Sequence, residues 1–499
     1  MVGLLGSLYQ MGEENLLDCA LYLCGVSGST WCMAALDEDP EWSSRLPSVK
    51  DALTRRLTET KLSRKAVLER LSKAINNENY SLTDFWAATI VYAYVREMND
   101  RCLSEQRPPS STNPYPIYAV VDQGFHDGKQ IAACCMDIDP YEAGYTHLGA
   151  FADTSVFGSQ FEGGELKKRI QEMDMLYLQG VCGSAFAEME LLKQYICQWI
   201  KDHLCPKSVN VFLEEDEQVP CDCKGCQVLL ILLKLVESED GSCSLLQELR
   251  TLLAEAGSPD LPKMEVIEEN VWLKASTEQR QAVIKQHVID ICLSLQSWSG
   301  DMCQTAKIIR KTLPLFLHWT WGTTYNFLYK YPAGEGKIPP ELLSDEKRYL
   351  EDAGFQLLSP YASAVRPARK TDLILSFDFC NPTPFMSLEQ AAAYCKAAGI
   401  PFPKVEVTDD PNKPKDFYVF EGEGQAPTVI HIPLFNIVNC EGDVEKWTEK
   451  LTILQRPFSK DKVNDLLRLS SLNVKNNKKR ILEEIEKVTK RKNPNSASL

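Results

Sequence analysis

The run Ala20-Leu21-Tyr22-Leu23-Cys24 passes straight into Gly25-Val26-Ser27-Gly28-Ser29-Thr30 and then into a helix-forming stretch reaching Ala35. An apolar run this short, closed by glycine and followed by helical composition, reads as a strand, a tight turn and a helix. The Pro-rich stretch from Arg107 to Pro116 leads into Ile117-Tyr118-Ala119-Val120-Val121, and a similar run is Leu373-Ile374-Leu375-Ser376-Phe377. Both are β-branched and aromatic enough to read as buried strands. From Leu62 to Ile75, Val67, Leu68, Leu71, Ala74 and Ile75 fall at helical spacing with Arg64, Lys65, Glu69, Arg70 and Lys73 opposite, which predicts an amphipathic helix packed on the domain. Residues 194–304 turn Leu-rich, acidic and helical, with loop signals at 237–242 and 257–262, and are expected to form a helical insertion over the sheet. Strands and helices interleaved over this length suit one large α/β sheet as well as about three smaller domains.

Composition narrows the function classes. With 44% hydrophobic and 25% charged residues the 499-residue chain is neither collagen-like, disordered nor disulfide-stapled. Its net charge of −15 argues against a surface built to grip nucleic-acid phosphates, so no nucleic-acid partner is expected. The strongest apolar stretch, Val228 to Leu233, is followed by Lys234 and falls far short of the roughly 20 residues that cross a bilayer. Eighteen cysteines without a regular framework, and no apolar leader ahead of them, read as reduced thiols of the cytosol. Asn79-Tyr80-Ser81 reads as an unmodified turn before a helix. Lys475 to Lys492 mixes Lys478, Lys479, Arg480, Lys490, Arg491 and Lys492 with Glu483, Glu484 and Glu486; it reads as a solvated terminal helix, or as a basic surface that touches anionic lipid headgroups.

The turn at Gly25-Val26-Ser27-Gly28-Ser29 fits a nucleophile elbow. Small neighbours let the backbone turn sharply and lift the serine hydroxyl above the sheet, while the next amide, that of Gly28, faces an incipient oxyanion. Taken alone the string is equally an ordinary glycine turn, and only the strand before it and the helix after it favour the elbow. Ser27 would then need a base. None of His126, His147, His203, His287, His318 and His431 has an acid placed to announce a triad. Asp378 directly follows a strand-like run, at the end where α/β sheets build their sites, although a strand-end aspartate can also simply cap a helix. Cys221-x-Cys223-x-x-Cys226, with Cys205 and Cys243 farther off, could hold zinc if a fourth ligand converged; three close thiols in an acidic loop match a paired knuckle poorly, and no metal is expected.

Gly25-Val26-Ser27-Gly28-Ser29-Thr30-Trp31 and Ser376-Phe377-Asp378-Phe379 together resemble the nucleophile and aspartate segments of the group IV cytosolic phospholipases A2. The stretches 79–86, Phe157-Gly158-Ser159, Gly183-Ser184-Ala185-Phe186, Trp321-Gly322-Thr323-Thr324 and Ile400-Pro401-Phe402-Pro403 extend the likeness over nearly the whole chain, and the gamma type is most similar. The resemblance implies a single catalytic domain over residues 1–499, patatin-like in fold: a central mixed sheet flanked by helices, with residues 194–304 as a cap over an apolar funnel and 475–499 as a basic tail. It implies a Ser27–Asp378 dyad that cleaves the fatty-acyl ester of a glycerophospholipid or lysophospholipid through an acyl-enzyme, without cofactor or calcium, on the surface of intracellular membranes. Peripheral contact is expected from cap residues Val228 to Val236 and the tail, because no prenylation motif closes the chain. An ordinary carboxylate, with a pKa of about 3.9, is a feeble base for serine, so the dyad leans on preorganised oxyanion donors. The family also carries a glycine-rich segment ending in a catalytic arginine just ahead of the position matching Met1, which leaves the Gly28 amide as the identifiable donor. The alternative expectation is therefore an impaired lipid-binding form or pseudoenzyme.

Overall fold

The computed structural model describes residues 1–107, 112–125, 134–184, 194, 197–198, 223–238, 243–255, 275–295, 302–332, 338–380, 383–451 and 459–492. In chain order the elements that matter begin with helix α1 (Val2–Glu13), strand β1 (Tyr22–Gly25), helix α2 (Gly28–Leu36) and helix α3 (Arg64–Ala74). Strands β2 (Tyr115–Asp122), β3 (Cys135–Ile138), β4 (Glu142–Tyr145) and β5 (Ala150–Asp153) follow, then a ribbon of β6 (Gln160–Glu162) and β7 (Glu165–Lys168), and helix α4 (Met175–Cys182). Four helices come next: α5 (Lys224–Glu237), α6 (Cys243–Glu255), α7 (Thr277–Ser294) and α8 (Gln304–His318). The rest is β8 (Thr323–Tyr325), β9 (Lys347–Asp352), β10 (Leu373–Asp378), helix α9 (Met386–Ala398), β11 (Tyr418–Phe420), β12 (Thr428–Pro433) and helix α10 (Lys460–Lys492).

The chain divides into two compact units, one of Met1–Thr60, Ile90–Phe186 and Thr323–Leu499, the other of Lys61–Thr89 and Ala187–Gly322. The first is mixed α/β, as expected. Its larger sheet has seven strands in the order β5-β4-β3-β2-β9-β8, with β1 also paired to β2. Strand β2 is central because it is continuously apolar from Ile117 to Val121 and buried from Ile117 onward. One of its edges takes β3 antiparallel; the other is shared, parallel to β1 over Tyr115–Tyr118 and antiparallel to β9 over Val120–Asp122. A separate three-stranded sheet joins β10 parallel to β12, and β12 antiparallel to β11. The strands that lead to Ser27 and Asp378 thus belong to different sheets, whereas the sequence suggested one. The two sheets still share a core, in which Val26, Cys32 and Met33 are clustered with Ile430 and Ile432 and covered by Leu375 and Phe377.

Helix α1 wedges into this unit along α10. Gly3 is required there, since a Cβ would sit 2.8 Å from the ring of Phe379, next to Asp378. The terminal helix is longer and far less solvated than its charges suggest: over 33 residues it buries Val463, Leu466, Leu469, Val474 and Ile481. Its buried face also carries Asn473, whose amide spans Pro433 O at 3.0 Å and Leu434 O at 3.2 Å, while Asn436 donates to Asn473 Oδ1 at 2.8 Å. This clamp fixes the end of β12. Several basic residues of α10 are matched by acids of the same unit, among them Lys478 by Glu14 at 2.9 Å and Lys492 by Asp372 at 2.6 Å.

The second unit is helical throughout its described part. Helix α3 turns Val67 and Leu71 inward and packs on α8. Helix α5 lies against α6, α7 and α8 and buries Val228, Leu229, Ile231, Leu232, Leu233 and Leu235. That overturns the expectation that Val228 to Val236 form a membrane-touching rim. Only Lys234 and Glu237 of α5 past Gln227 are exposed, so the apolar run is the core of a helix bundle.

Candidate active site

Ser27 stands at the corner between β1 and α2 with φ 54° and ψ −131°, a backbone combination that costs roughly 1–3 kcal/mol for a residue with a side chain. The corner is held by its neighbours. Thr30 donates both its amide, at 2.9 Å, and its hydroxyl, at 2.6 Å, to Ser27 O, and Ser29 N–H reaches Val26 O at 3.1 Å. Gly25 is needed because a Cβ there would meet Met33 Sδ at 2.3 Å, so α2 can fold back onto β1 only over a bare backbone. Trp31 donates to Gln179 O at 2.8 Å and seats α2 on α4. The outcome is a half-buried Ser27 whose hydroxyl bonds to none of the described residues. The adjacent Gly28 amide likewise finds no acceptor among them, at the positive end of a nine-residue helix.

Asp378 ends β10 and is 1% exposed. One carboxylate oxygen accepts the Cys380 amide at 2.7 Å; the other accepts the Ser387 hydroxyl and lies 3.8 Å from Nε2 of His431. Register explains the histidine: β10 and β12 run in parallel with Asp378 opposite Pro433, and Leu434 N–H bonds to Asp378 O at 2.7 Å. His431 is fully buried, and Nε2 faces Pro384 O at 2.6 Å. A carbonyl only accepts, so Nε2 carries the hydrogen and Nδ1, buried without a partner, does not. Burial lowers the His431 pKa more than the Asp378 charge raises it, which keeps the ring neutral. His431 therefore braces the loop after Asp378.

No hydrogen bond joins Ser27 to Asp378. Two donors leave free lone pairs on the carboxylate, and catalytic hydrogen bonds are commonly long before substrate binds. The two corners are linked through contacts of their surroundings: Phe379 against Gly3 of α1, α1 against α2, and Arg369, just before β10, with its guanidinium 5.6 Å from the ring of Tyr22 at the start of β1.

Of the other residues singled out in the sequence, His126, His203, Cys205 and Cys221 lie outside the described residues. His147 is exposed, while His287 and His318 belong to the helical unit. Cys223 and Cys226 are not loop cysteines: Cys223 caps α5 and Cys226 lies in its first turn, and Cys303, which the sequence pattern did not include, comes to join them. Ser387 and the His431–Asp378 contact were also unforeseen. The histidine depends on the long-range pairing of β10 with β12, and Ser387 on the loop that turns back from Asp378 into α9; neither leaves a local signal.

Residues 2–218 match the family model of a lysophospholipase catalytic domain. The chain is 34% identical to the cytosolic phospholipase A2 gamma of Mus musculus, over 98% of its own length and 84% of that relative. The Homo sapiens protein of the same name is 32% identical over 98% and 87%. The chain belongs to the cytosolic phospholipase A2 family. Among solved structures, human GIVD cytosolic phospholipase A2 superimposes with a TM-score of 0.63 at 22% identity; the match covers 98% of this chain and 61% of that one. The same human protein in complex with methyl gamma-linolenyl fluorophosphonate gives a TM-score of 0.57 at 23% identity, over 98% and 57%. At that identity the likeness carries the fold, and it agrees with the mixed α/β architecture expected of a patatin-like hydrolase. Family membership makes this a catalytic domain of the phospholipase A2 and lysophospholipase class. Among the described residues no helix is long and apolar enough to cross a membrane.

Proposed function

We propose that this family member is a calcium-independent phospholipase A2 and lysophospholipase in which Ser27 is the nucleophile and Asp378 the base. The observation that carries the reading is the strained Ser27, whose hydroxyl, like the adjacent Gly28 amide at a helix N-terminus, has no hydrogen-bond partner among the described residues. Ser27 Oγ attacks the ester carbonyl carbon of a fatty-acyl chain while Asp378 takes the hydroxyl proton. The Gly28 N–H and the α2 dipole face the oxyanion that forms. Collapse of the tetrahedral intermediate expels the glyceryl oxygen, which recovers the proton from Asp378 and leaves acyl-Ser27. Water then attacks the acyl group by the same route and frees the fatty acid. Ser387 and the Cys380 amide hold the carboxylate in place, and the reaction requires no cofactor. The substrate is met at a phospholipid surface by peripheral contact.

The test uses a fluorophosphonate, the class of compound held by the human GIVD structure, in which a serine oxygen bonds phosphorus and fluoride leaves. Labelling of the chain, lost in Ser27→Ala together with fatty-acid release, is the expected result, and release unchanged by a calcium chelator is expected with it. A folded chain that binds phospholipid vesicles yet stays unlabelled overturns the reading in favour of a lipid-binding pseudoenzyme. Activity that survives Asp378→Ala but fails in His431→Ala overturns the assignment of the base.

A further inference from the structure

In the helical unit, two helices begin at the same point. Cys223 is the N-cap of α5 and Cys303 the N-cap of α8, and Cys226 lies in the first turn of α5. The three sulfur atoms lie within 4.8 Å of one another, with Cys226 Sγ 3.4 Å from Cys303 Sγ. A disulfide would need about 2.05 Å, so this pair is not bonded. Thiolates around tetrahedral zinc, each about 2.3 Å from the ion, stand roughly 3.8 Å apart, which is the scale of this cluster.

The backbone is arranged to suit thiolates. The Cys226 amide donates to Cys223 Sγ at 3.4 Å, and the Ala306 amide donates to Cys303 Sγ at 3.4 Å. Amides directed at sulfur, at the positive ends of two helices, stabilise negative charge there. Cys223 and Cys226 are 6% and 2% exposed, and Cys303 is half-buried, so the cluster is shielded yet open on one side. Three thiols this close, two of them buried, cannot ionise together without a cation, and thiolate ligands in tetrahedral geometry select zinc among common divalent ions.

We propose that Cys223, Cys226 and Cys303 bind a zinc ion that pins the start of α5 to the start of α8. Each thiol releases its proton to solvent on binding, and the fourth position is taken by water or one further donor. The ion closes a loop of more than seventy residues, so its role is to staple the helical unit, apart from the Ser27 chemistry. This departs from the expectation that the cysteine pattern holds no metal. The missing member was Cys303, 77 positions from Cys226 and invisible to a local motif.

The test is elemental analysis of the full chain, purified under reducing conditions without chelator. About one zinc per chain is expected. Stripped protein titrated with cobalt(II) should develop thiolate-to-cobalt charge-transfer absorption. Cys226→Ser and Cys303→Ser should each cut bound zinc at least tenfold, while Cys292→Ser, a buried cysteine of α7 outside the cluster, should keep it. Wild-type protein that carries no zinc and gives no thiolate band with cobalt overturns the proposal, whether or not the variants fold. So does zinc retained in both cluster variants. A Cys226–Cys303 disulfide found by peptide mass spectrometry of the native protein overturns it as well.

Discussion

Asp378 ends one short parallel strand and Ser27 stands just past the end of another, yet the fold treats them in opposite ways. Ser27 is half-buried, conformationally strained and, among the described residues, unbonded at its hydroxyl; Asp378 is buried, ends a regular strand, and its carboxylate receives donors from Cys380 and Ser387 with His431 alongside. One group is displayed by its backbone and the other is gripped by its side-chain partners. The contrast suits the roles proposed for the two residues. A nucleophile must move toward a substrate, so a bond to its hydroxyl would have to be broken first. A base that must recover its charge after each proton transfer gains from fixed dipoles that favour the anion.

Four substitutions sharpen or break this contrast. Ser27→Ala removes the displayed atom and should lower fatty-acid release by at least about 10⁴-fold with the thermal midpoint unchanged or raised, since alanine at this corner loses no bond. Asp378→Asn keeps the shape and removes the charge; a fall of about 10³-fold in turnover is expected, and a fall under tenfold would strip Asp378 of its role. Gly25→Ala drives a methyl group into Met33 and should destabilise the chain by about 1–3 kcal/mol, read as a lower unfolding midpoint, with activity falling as the Ser27 corner shifts. His431→Gln has the smallest effect and the clearest signature. Burial holds the His431 pKa under its ordinary 6.5 despite the opposing pull of Asp378, so as the pH falls below about 6.5 the unfolded chain takes up a proton that the folded one refuses. Stability present above that pH is therefore lost below it. The glutamine variant should show a shallower loss between pH 7 and 5 in denaturant titrations, and an unchanged slope would remove His431 from the account.

Local chemistry made the Ser27 corner legible: small residues around a serine, an apolar run before it and helical composition after it are all neighbours in sequence. Strand β2 was readable at its apolar centre, Ile117–Val121, but its ends were not, since Tyr115 and Pro116 are fixed by pairing with β1. The His431–Asp378 contact could not be foreseen, because a parallel register between β10 and β12 is set by packing of the whole unit. Helix α10 was under-read for another reason. Ser470, Asn473 and Asn477 lie on its buried face, so the apolar period is interrupted by polar groups: Ser470 bonds back to its own helix, while Asn473 and Asn477 meet distant partners such as Asn436, Asn439 and Asp416. The apolar run at 228–236 invited a membrane reading for the converse reason, that a helix core and a lipid contact have the same composition.

The pairing of α1 with α10 has a consequence for biosynthesis. A ribosome makes about 5–20 residues per second, so the first helix waits many seconds for the partner that covers it, and during that time Leu4, Leu5 and Leu8 have no permanent shelter. Nascent or prematurely terminated chains are thus left with an unsealed flank beside Phe379. Such chains keep that apolar flank open to chaperones and proteases, and this unit closes only once α10 has been made.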